Sequence, residues 1–564
     1  EFSDWSSDVC SSDLINPKFK PREGPVVVVI LDGFGIDKEG PGNCVTLANP
    51  PNYNRLLEDA KKDNMHIIIK ANGPYVGLPT DADMGNSEVG HNALGAGQIY
   101  SQGTKLVEES ILSGKFFESE NWKNVIGKTI EEGKTVHFIG LLSDGNVHSN
   151  TTQLFQMMDG VVKCGGKKIR VHPLLDGRDV APDSGLMYID KLENKLKELQ
   201  AKGIDAKIAS GGGRMHITMD RYEADWAMVE RGWMTHVRGI VPPCDITPEY
   251  TGYYHSAREA VELARKLFPT KLDQFNPAFV IVDEKNEPIG KMVDGDAVVN
   301  FNFRGDRAIE ISKAFTQGEE FKAFDRVYMP KIRYAGLLEY DSDNHVPPQY
   351  LCAPPDIKNV SSEYLTKSGV RCYAIAETHK YGHMTYFWNG NKTGYFDANL
   401  ELYEQIKSLP NDMTESHPEM KAVEVCDRLI EQLKKKEYKF YRVNFANPDM
   451  VGHTGNIQSG VKAVLTCDEC LKRLEEEIKA QKGIMLVTAD HGNVETMLDK
   501  AGKPMTSHTC NPVNLFIRDY DYKGDYVINK EVDHPGLANV TATYLNLLGF
   551  EQPEQYKPSL IKFL

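Results

Sequence analysis

The sequence has little of what marks membrane, secreted or nucleic-acid-binding proteins. Among its 564 residues no apolar run approaches the roughly 20 that span a bilayer, and the longest, Pro25 to Leu31, has the length of a strand. A basic segment followed by an apolar one, the pattern that predicts a secretory signal, is not found in the sequence. Positive charge is also scarce, because 65 Lys and Arg stand against 80 Asp and Glu, for a net charge of −15 with neutral histidine. The chain is therefore a poor candidate for binding nucleic acid or an anionic membrane, which both require basic surfaces.

Cysteine usage indicates a reducing compartment. The ten cysteines lack the spacing of a disulfide framework, so the expected location is the cytoplasm. The single CxxC, from Cys467 to Cys470, falls in a helical pattern and has no second pair. A structural zinc site is one interpretation of this motif; a pair of half-buried thiols on a helix is the favoured one.

The remaining composition is that of a globular protein with an α/β fold. Hydrophobic residues make up 41% and charged residues 26%, which excludes wholesale disorder. Strand-like runs alternate with amphipathic helices, a pattern typical of largely parallel sheets. The clearest predicted strands are the apolar runs 26–31, 66–69, 137–142, 439–445, 484–488 and 514–517. Two helices are predicted from apolar stripes at helical spacing: Ile189, Leu192, Leu196 and Leu199, and Val464, Leu471, Leu474 and Ile478.

The domain organisation is predicted from composition shifts. Residues 1–14, EFSDWSSDVCSSDL, resemble vector- or adaptor-derived sequence, and the fold is expected to begin after them. Two segments, 95–103 and 341–356, have the composition of linkers or hinges. If both are linkers, residues 102–352 form a domain inserted into an outer domain made of 15–101 and 353–564.

Acidic and imidazole side chains follow several predicted strands. In open α/β sheets, ligands bind beyond the carboxyl ends of the strands, so these groups can converge. Taken singly, each has an ordinary interpretation as a turn former, helix cap, surface ion pair or loop histidine. Together they supply three carboxylates and three imidazoles without cysteine, which suits Mn²⁺, Mg²⁺, Co²⁺ or Zn²⁺ and is enough for a two-metal site. The set comprises Asp32, Asp449, His453, Asp490, His491 and His508.

A candidate nucleophile lies in the glycine-rich segment DMGNSEVGHNALGAG. Ser87 stands there at the predicted start of a helix, with Glu88 in the first turn. By itself Ser87 is best explained as a helix N-cap. Beside a two-metal site, its hydroxyl can lose a proton near neutral pH and accept a phosphoryl group.

A second cluster of candidate residues is largely cationic. Arginine grips phosphate or carboxylate bidentately, and here the arginines stand in turns rather than along polar helix faces, which favours an internal anion pocket. Any one of them alone is better explained as a surface charge. The set comprises His148, Arg178, Asp179, Arg214, Arg221, Arg304, Arg307 and, in the C-terminal part, Lys380.

Eight motifs, taken in order, resemble the cofactor-independent phosphoglycerate mutase family of the alkaline phosphatase superfamily. The resemblance runs from about Pro25 to the C-terminus. The motifs are LDGFG, DMGNSEVGHNALGAG, LLSDGNVHS, LLDGRD, NFRGDRA, NFANPDMVGHTG, TADHGN and SHTCNPV.

This resemblance implies an α/β fold of two domains and a set of functional residues. An alkaline-phosphatase-like α/β sandwich would bind two metal ions, commonly Mn²⁺ with Mg²⁺ or Co²⁺ in some members, and an α/β phosphotransferase domain would be inserted into it. It also implies a cytoplasmic monomer that needs no 2,3-bisphosphoglycerate. Carried over by motif, Asp449, His453 and His508 hold one ion, and Asp32, Ser87, Asp490 and His491 hold the other. The implied substrate-binding residues are His148, Arg178, Asp179, Arg214, Arg221, Arg304, Arg307 and Lys380.

The implied reaction interconverts 3-phosphoglycerate and 2-phosphoglycerate. Ser87 would become a phosphoserine, the arginines would clamp the glycerate carboxylate while it turns, and Asp179 would be the acid and base. Lys380 and the metals would stabilise the transferring phosphoryl group. A hinged domain closure would exclude water, so proline at Gly95 or Gly97 is expected to lower turnover.

Three alternatives follow from the same residues. A metal-dependent phosphatase would share the metal ligands but would not need the arginine set. A phosphopentomutase would need a different inserted sequence and, by family resemblance, usually a threonine in place of Ser87. A non-catalytic anion sensor or scaffold would predict that some ligand positions are replaced, whereas all seven carry competent residue types.

Overall fold

The computed structural model describes residues 15–78, 81–221, 223, 225–341, 345–353, 355, 357–410 and 413–564. The predicted leader, 1–14, and parts of the predicted linker 341–356 lie outside the described residues. The chain divides into two compact units. The split unit combines the chain up to Gln102 with Asp356–Leu564, and the continuous unit runs from Gly103 to Pro355. Within the described ranges, the helices are too short or too polar to cross a bilayer.

In the part of the chain that the structure describes, the first segment of the split unit contains two strands and three helices. They are β1 (Val26–Leu31), α1 (Cys44–Ala48), α2 (Pro51–Lys62), β2 (His66–Ile69) and α3 (Ser87–Ala96). Within the described residues, the continuous unit contributes the next nine helices and eight strands. They are α4 (Gly103–Leu112), α5 (Lys115–Glu118), α6 (Glu120–Trp122), α7 (Lys128–Glu131), β3 (Val136–Leu142), α8 (Thr151–Lys163), β4 (Lys168–Leu175), α9 (Gly185–Ala201), β5 (Asp205–Ile208), β6 (Ser210–Gly213), α10 (Trp226–His236), β7 (Tyr253–Tyr254), α11 (Ala257–Leu267), β8 (Phe279–Ile281), β9 (Ala297–Asn300), α12 (Ile309–Thr316) and β10 (Arg333–Gly336).

The second segment of the split unit completes the fold. Its elements are α13 (Ser361–Lys367), β11 (Cys372–Glu377), α14 (Thr378–Gly382), β12 (Glu401–Ile406), α15 (Ala422–Lys435), β13 (Phe440–Phe445), α16 (Asn447–Gly452), α17 (Ile457–Ala480), β14 (Ile484–Thr488), β15 (Val513–Asp519), β16 (Tyr526–Ile528), α18 (Ala538–Leu547) and β17 (Ile561–Phe563). Short 3₁₀ turns cover Gly73–Val76, Pro243–Asp245 and Asp273–Phe275, and single π-helical turns cover Lys123–Gly127 and His383–Phe387.

The sheet of the split unit has seven strands in the order β12-β11-β13-β1-β14-β15-β2. The five strands from β12 to β14 are parallel, and β15 and β2 pair antiparallel at one edge. All six residues of the central strand β1 are buried, which is why its sequence is uninterrupted Val, Ile and Leu. The register places Ile30 between Asn444 of β13 and Thr488 of β14, so these three strands end side by side. The predicted α/β fold is confirmed.

The continuous unit is built on a second, mainly parallel sheet. Its order is β10-β9-β3-β4-β6-β8-β7, with β5 also paired to β4. Strands β3 and β4 run parallel over seven residue pairs, from Val136 opposite Ile169 to Leu142 opposite Leu175. Both strands are almost wholly buried, and the stripe from Ile189 to Leu199 on α9 is buried in the same core. The stripe from Val464 to Ile478 on α17 is buried in the core of the split unit, so both predicted helices are confirmed.

Two expectations require correction. The thiols of Cys467 and Cys470 lie on α17 as predicted, but they are buried rather than half-buried. The predicted linker 95–103 begins too early, because Gly95 and Ala96 are the last residues of α3. A Cβ atom on Gly95 would lie 1.9 Å from the carbonyl oxygen of Trp388, so this glycine permits close packing. Proline at Gly95 would therefore disrupt that packing and would not report on a hinge.

Candidate active site

Three neighbouring strands of the split unit deliver the predicted metal ligands to one place. Asp32 follows β1 directly, Asp449 lies on α16 just after β13, and Asp490 and His491 follow β14. Since β13, β1 and β14 are adjacent and parallel, their carboxyl ends share one edge of the sheet. His508 reaches the same place from the loop before β15. Gly33 has a φ of +71°, and a Cβ atom there would lie 2.8 Å from Asp449, so glycine lets the two segments meet.

One group of donor atoms consists of Asp449, His453 and His508. The Asp449 Oδ1 atom lies 3.1 Å from Nε2 of His508 and 3.2 Å from Nε2 of His453, and the two Nε2 atoms are 3.1 Å apart. Each ring is oriented through its other nitrogen: Nδ1 of His453 bonds the Thr506 carbonyl at 2.6 Å, and Nδ1 of His508 bonds the Gly85 carbonyl at 2.9 Å. Such bonds fix the tautomer that leaves Nε2 for a metal ion.

A second group consists of Asp32, Asp490 and His491. Their ligand atoms all lie within 4.8 Å of one another, and all three side chains are buried. Ser87 Oγ adjoins this group at 3.2 Å from Asp32 Oδ1 and 3.0 Å from His491 Nε2. His491 also lies within the same distance limit of Asp449 and His508, so the two groups are contiguous. The structure thus brings all seven predicted metal positions together.

Ser87 is the first residue of α3 and is not its cap. The side chain of Asn86 accepts a hydrogen bond from the Val89 N–H and caps the helix instead. The Ser87 hydroxyl therefore does not cap the helix, which is the ordinary role of a serine at a helix start. Its side chain, which is 2% exposed, points into the ligand cluster.

Lys380, on α14, lies at the centre of this cluster. Its Nζ is 2.6 Å from Ser87 Oγ and 2.8 Å from a carboxylate oxygen of both Asp32 and Asp449. Burial alone would lower the pKa of Lys380, but the charges of Asp32 and Asp449 outweigh it and raise the pKa. The ammonium group is therefore charged and held beside the serine oxygen.

The buried carboxylates exceed the positive charge that faces them. Burial and the charge of Asp32 raise the pKa of Asp490 to about 7. Its Oδ2 atom accepts no hydrogen bond within the described part of the chain. Although burial opposes it, the charges of Asp490 and Asp449 raise the pKa of His491 to about 9. The negative charge that raises these two pKa values would be balanced by divalent cations, and the oxygen and nitrogen donors of the cluster fit such ions.

Several supporting residues here were not predicted from the sequence. Asn444, inside β13, donates to Asp32 Oδ2 at 2.7 Å, and Asn493 donates to Asp449 Oδ1 at 2.8 Å. His91 bonds the Ser87 carbonyl at 2.7 Å and lies 3.4 Å from Asp490. Two features of the sequence could have indicated such residues: a polar residue inside an apolar strand, and a histidine four residues after the serine.

The predicted anion-binding residues of the continuous unit form a separate cluster. His148, Arg178, Asp179, Arg214, Arg221, Arg304 and Arg307 belong to this unit, whereas Lys380 belongs to the split unit. Arg214 is fully buried and donates to Asp179 at 2.5 Å and to Asp176 at 2.8 Å. Arg307 is 4% exposed and donates to the Met219 carbonyl at 2.7 Å.

Two aspartates missed from the sequence organise this cluster. Asp176 accepts the backbone N–H groups of Arg178 and Asp179 at 3.1 and 3.0 Å, in addition to Arg214. Asp306 lies 3.3 Å from Arg304, 3.5 Å from Arg221 and 3.6 Å from His148. Asp176 lies in the motif LLDGRD and Asp306 in the motif NFRGDRA, but from the sequence each is best explained as a turn former.

The electrostatics of this cluster indicate an anion site. Burial and the charges of Arg214 and Arg221 lower the pKa of Arg178 to about 10. Burial and the charges of Arg221 and Arg178 lower the pKa of Arg307 as well. Guanidinium groups held close enough to repel each other are stabilised by a bound anion such as a carboxylate or phosphate.

A buried hydrogen-bond chain supports the segment from Arg214 to Arg221. It runs from Asp296 through His137 (3.1 Å), His172 (2.9 Å), Ser210 (2.6 Å) and His236 (2.8 Å) to Thr218 (2.9 Å). Burial lowers the pKa of all three histidines, to about 3 for His236. Asp296 can only accept hydrogen bonds, and each neutral ring donates through one nitrogen and accepts through the other. All donors in the chain therefore point towards Asp296, and at the far end the Thr218 hydroxyl donates to Nε2 of His236.

Thr218 stands at a strained point of the backbone. Its φ is +75°, a conformation that β-branched residues rarely adopt. The next residue, Met219, presents its carbonyl oxygen to Arg307. The buried chain thus holds Thr218 in the conformation that places an acceptor for Arg307.

Comparisons with known proteins agree on one family. The model of the metalloenzyme superfamily matches residues 24–552. A curated protein of Leptospira interrogans, named probable 2,3-bisphosphoglycerate-independent phosphoglycerate mutase, is 47% identical over 97% of this chain and 99% of its own length. The Zea mays protein named 2,3-bisphosphoglycerate-independent phosphoglycerate mutase is 46% identical over 97% of both chains. The crystal structure of Leishmania mexicana phosphoglycerate mutase at low cobalt concentration is 44% identical, has a TM-score of 0.87, and covers 98% of this chain and 100% of that one.

Proposed function

The chain belongs to the metalloenzyme superfamily and to the family of 2,3-bisphosphoglycerate-independent phosphoglycerate mutases, and we propose that it transfers the phosphoryl group through a phosphoserine at Ser87. It interconverts 3-phosphoglycerate and 2-phosphoglycerate and is therefore an isomerase of glycolysis and gluconeogenesis. The proposal concerns how its own residues perform this reaction.

The observation that carries the proposal is the position of the Ser87 hydroxyl. Its oxygen lies within 3.2 Å of Asp32, His491 and Lys380 together. Phosphoryl transfer depends on positioning and on stabilising charge at the oxygens of the transferring group. Lys380 supplies a fixed positive charge 2.6 Å from the serine oxygen, and therefore beside a phosphoryl group that bonds to this oxygen.

The two donor groups are proposed to hold two divalent ions, Mn²⁺ in the cell, with Mg²⁺ or Co²⁺ as substitutes. Asp449, His453 and His508 would hold one, and Asp32, Ser87, Asp490 and His491 the other. When bound, the ions supply positive charge that lowers the pKa of the serine hydroxyl and polarises the phosphate oxygens. We further propose a cytoplasmic monomer that needs no bisphosphoglycerate.

In the first transfer, the deprotonated Ser87 oxygen forms a bond to phosphorus and the bond from phosphorus to the C3 oxygen of 3-phosphoglycerate breaks. The C3 oxygen takes a proton and becomes a hydroxyl. In the second transfer, the C2 hydroxyl gives up its proton and its oxygen bonds to phosphorus, while the bond from phosphorus to Ser87 breaks and Ser87 leaves in the deprotonated form in which it began. One proton is thus given and one recovered, as a single acid and base requires.

Asp179 is proposed as that acid and base. Burial alone would raise its pKa, but the charge of Arg214 outweighs it and holds the pKa below its usual range. A substrate carboxylate bound among the arginines would compete for the same guanidinium groups. Its negative charge would raise the pKa of Asp179 towards that of a working acid.

The arginine cluster is proposed to hold the glycerate between the two transfers. Replacing Arg307 by alanine is expected to lower kcat/KM about 10²-fold, since truncating one partner of a buried charge contact costs about 2–5 kcal/mol. The ratio of free phosphate to mutase product should rise, because a less firmly held glycerate escapes before the second transfer. Steady-state kinetics with a phosphate-release assay measure both effects.

The control is Arg258→Ala. Arg258 lies on the exposed face of α11 and is paired there with Asp190 of α9. The kinetic constants of this variant should be unchanged. If Arg307→Ala retained wild-type kcat/KM, the substrate-binding role of the cluster would be wrong.

Thr218 is proposed to position Arg307 through the Met219 carbonyl. Thr218→Val keeps the shape but removes the hydroxyl, and it leaves Nε2 of His236 without its donor, at a cost of about 1–3 kcal/mol in the free energy of unfolding. We expect kcat/KM to fall about 10-fold, since small displacements of binding groups slow reaction strongly. Thr218→Ser restores the hydroxyl and should restore kcat/KM. A loss of stability with unchanged kcat/KM would leave Thr218 a purely structural residue.

The proposed route is tested by trapping the intermediate. The enzyme is mixed with 3-phosphoglycerate without bisphosphoglycerate, quenched in acid, digested and analysed by mass spectrometry, while an enolase-coupled assay follows 2-phosphoglycerate. We expect one phosphoryl group on the peptide that contains Ser87, together with mutase activity. Activity with a phosphoryl group on another residue would overturn the assignment of Ser87. Release of free phosphate without 2-phosphoglycerate would favour the phosphatase alternative.

A further inference from the structure

A third group of metal-type donors lies in the continuous unit and includes none of the residues proposed to bind substrate. It consists of His216, Cys244 and Asp245, whose ligand atoms all lie within 4.8 Å of one another. Asp245 is buried, His216 is partly buried and Cys244 is exposed. The reaction proposed above uses none of the three.

The backbone holds these three residues firmly. The His216 N–H donates to the Gly213 carbonyl at 2.9 Å, and Arg231 Nε donates to the His216 carbonyl at 2.8 Å. Cys244 and Asp245 belong to the 3₁₀ turn Pro243–Asp245, where two successive prolines restrict the backbone. The donor groups are therefore arranged before any ligand arrives.

Asp245 and His216 are joined by a hydrogen bond at the atoms that would bind the metal ion. Nε2 of His216 lies 2.7 and 2.8 Å from the two oxygens of Asp245, and a metal ion would take the place of the proton that they share, with the nitrogen and the nearer oxygen moving slightly apart. Oδ2 of Asp245 also accepts the Ala278 N–H at 3.0 Å, the kind of outer bond that orients a ligating carboxylate. The exposed Cys244 leaves the open side of the group to solvent.

We propose that His216, Cys244 and Asp245 form a zinc-binding site. One nitrogen, one oxygen and one sulfur ligand, with water in the fourth position, make a tetrahedral set that suits Zn²⁺. Binding releases the thiol proton of Cys244 to solvent. The Nε2 proton that His216 donates to Asp245 also leaves to solvent while Nδ1 takes up one, so the imidazole binds in its neutral form with its proton on Nδ1. This site is independent of the function proposed above and would stand if that mechanism failed.

Sulfur distinguishes this site from the proposed catalytic centre. The donors of the catalytic centre are carboxylate, imidazole and hydroxyl groups. Co²⁺ takes the place of Zn²⁺ in such sites and, when bound to a thiolate, gives an intense sulfur-to-cobalt absorption in the near ultraviolet. Cobalt bound only to oxygen and nitrogen gives no such band, so the full-length enzyme can be titrated with its catalytic centre intact.

The experiment is a Co²⁺ titration of four forms of the full chain. They are the wild type, Cys244→Ser, His216→Asn and, as a matched control, Cys164→Ser, which removes another exposed thiol. We expect the wild type and Cys164→Ser to show the band and Cys244→Ser to lack it. His216→Asn should bind the band-forming ion at least about 10-fold more weakly. Equilibrium dialysis with Zn²⁺ should find one fewer ion in Cys244→Ser than in the wild type.

Each contrary result overturns the proposal. A wild type without the band at saturating cobalt would leave the three residues as a His–Asp hydrogen bond beside an unrelated surface thiol. A band that persists in Cys244→Ser would place the sulfur ligand elsewhere. A band of unchanged affinity in His216→Asn would exclude the three-residue site.

Discussion

Replacing Ser87 by alanine is expected to lower kcat for 2-phosphoglycerate formation by at least about 10⁴-fold, because the variant has no oxygen to accept the phosphoryl group. Asp32, His491 and Lys380 all contact the Ser87 oxygen, and in the proposed route they hold and stabilise this oxygen while Ser87 alone accepts the phosphoryl group. Binding of 3-phosphoglycerate should be changed far less than kcat, since the arginine cluster is untouched. Single-turnover kinetics and a binding isotherm separate the two effects.

The control for this variant is Ser416→Ala. Ser416 is an exposed serine of the split unit whose hydroxyl donates to the Met413 carbonyl, so its loss should leave kcat unchanged. The acid-quenched Ser87→Ala enzyme should also carry no phosphoryl group. If Ser87→Ala kept more than a small fraction of the wild-type rate, the nucleophile would have to be another residue or water.

The fold could be predicted from the sequence where a strand is buried on both faces. The run Val26 to Leu31 leaves no polar position, so its place at the centre of a covered sheet follows from composition alone. The end of α3 could not be predicted in this way. Gly95 lies in a segment that has the composition of a linker. Glycine is needed there, inside a helix, because the backbone of Trp388 packs against it.

The candidate site was predictable where a ligand follows a strand or shares a helix face. Asp32, Asp490 and His491 stand at strand ends, and the order of β13, β1 and β14 brings them together. Asn444 was missed because its partner Asp32 is far away in sequence. Asp306 was missed because two of its partners, Arg221 and His148, are also distant. Asn444 looks like a defect in an apolar strand until Asp32 is found 2.7 Å from it.

Removing divalent metal with EDTA is expected to lower mutase activity by at least about 10³-fold, and Mn²⁺, Mg²⁺ or Co²⁺ should restore it. Metal ions supply several kcal/mol of charge stabilisation in such reactions, and each 1.36 kcal/mol is about tenfold in rate. Asp32, Asp449 and Asp490 are buried together, and Lys380 contacts only two of them directly. The melting temperature should therefore also rise when metal is added back, because the ions bind the native state.

Asp449→Asn separates loss of metal from loss of fold. The amide keeps the shape of the side chain but removes a charge that contacts both His453 and His508, so metal affinity should fall while the chain stays folded. Binding of 3-phosphoglycerate should survive chelation in weakened form, since the arginine cluster draws all its residues from the continuous unit. Circular dichroism, metal analysis and calorimetry measure these three quantities. An enzyme that stayed fully active after EDTA, with metal absent by analysis, would exclude metal-assisted transfer and leave Lys380 as the main stabilising charge.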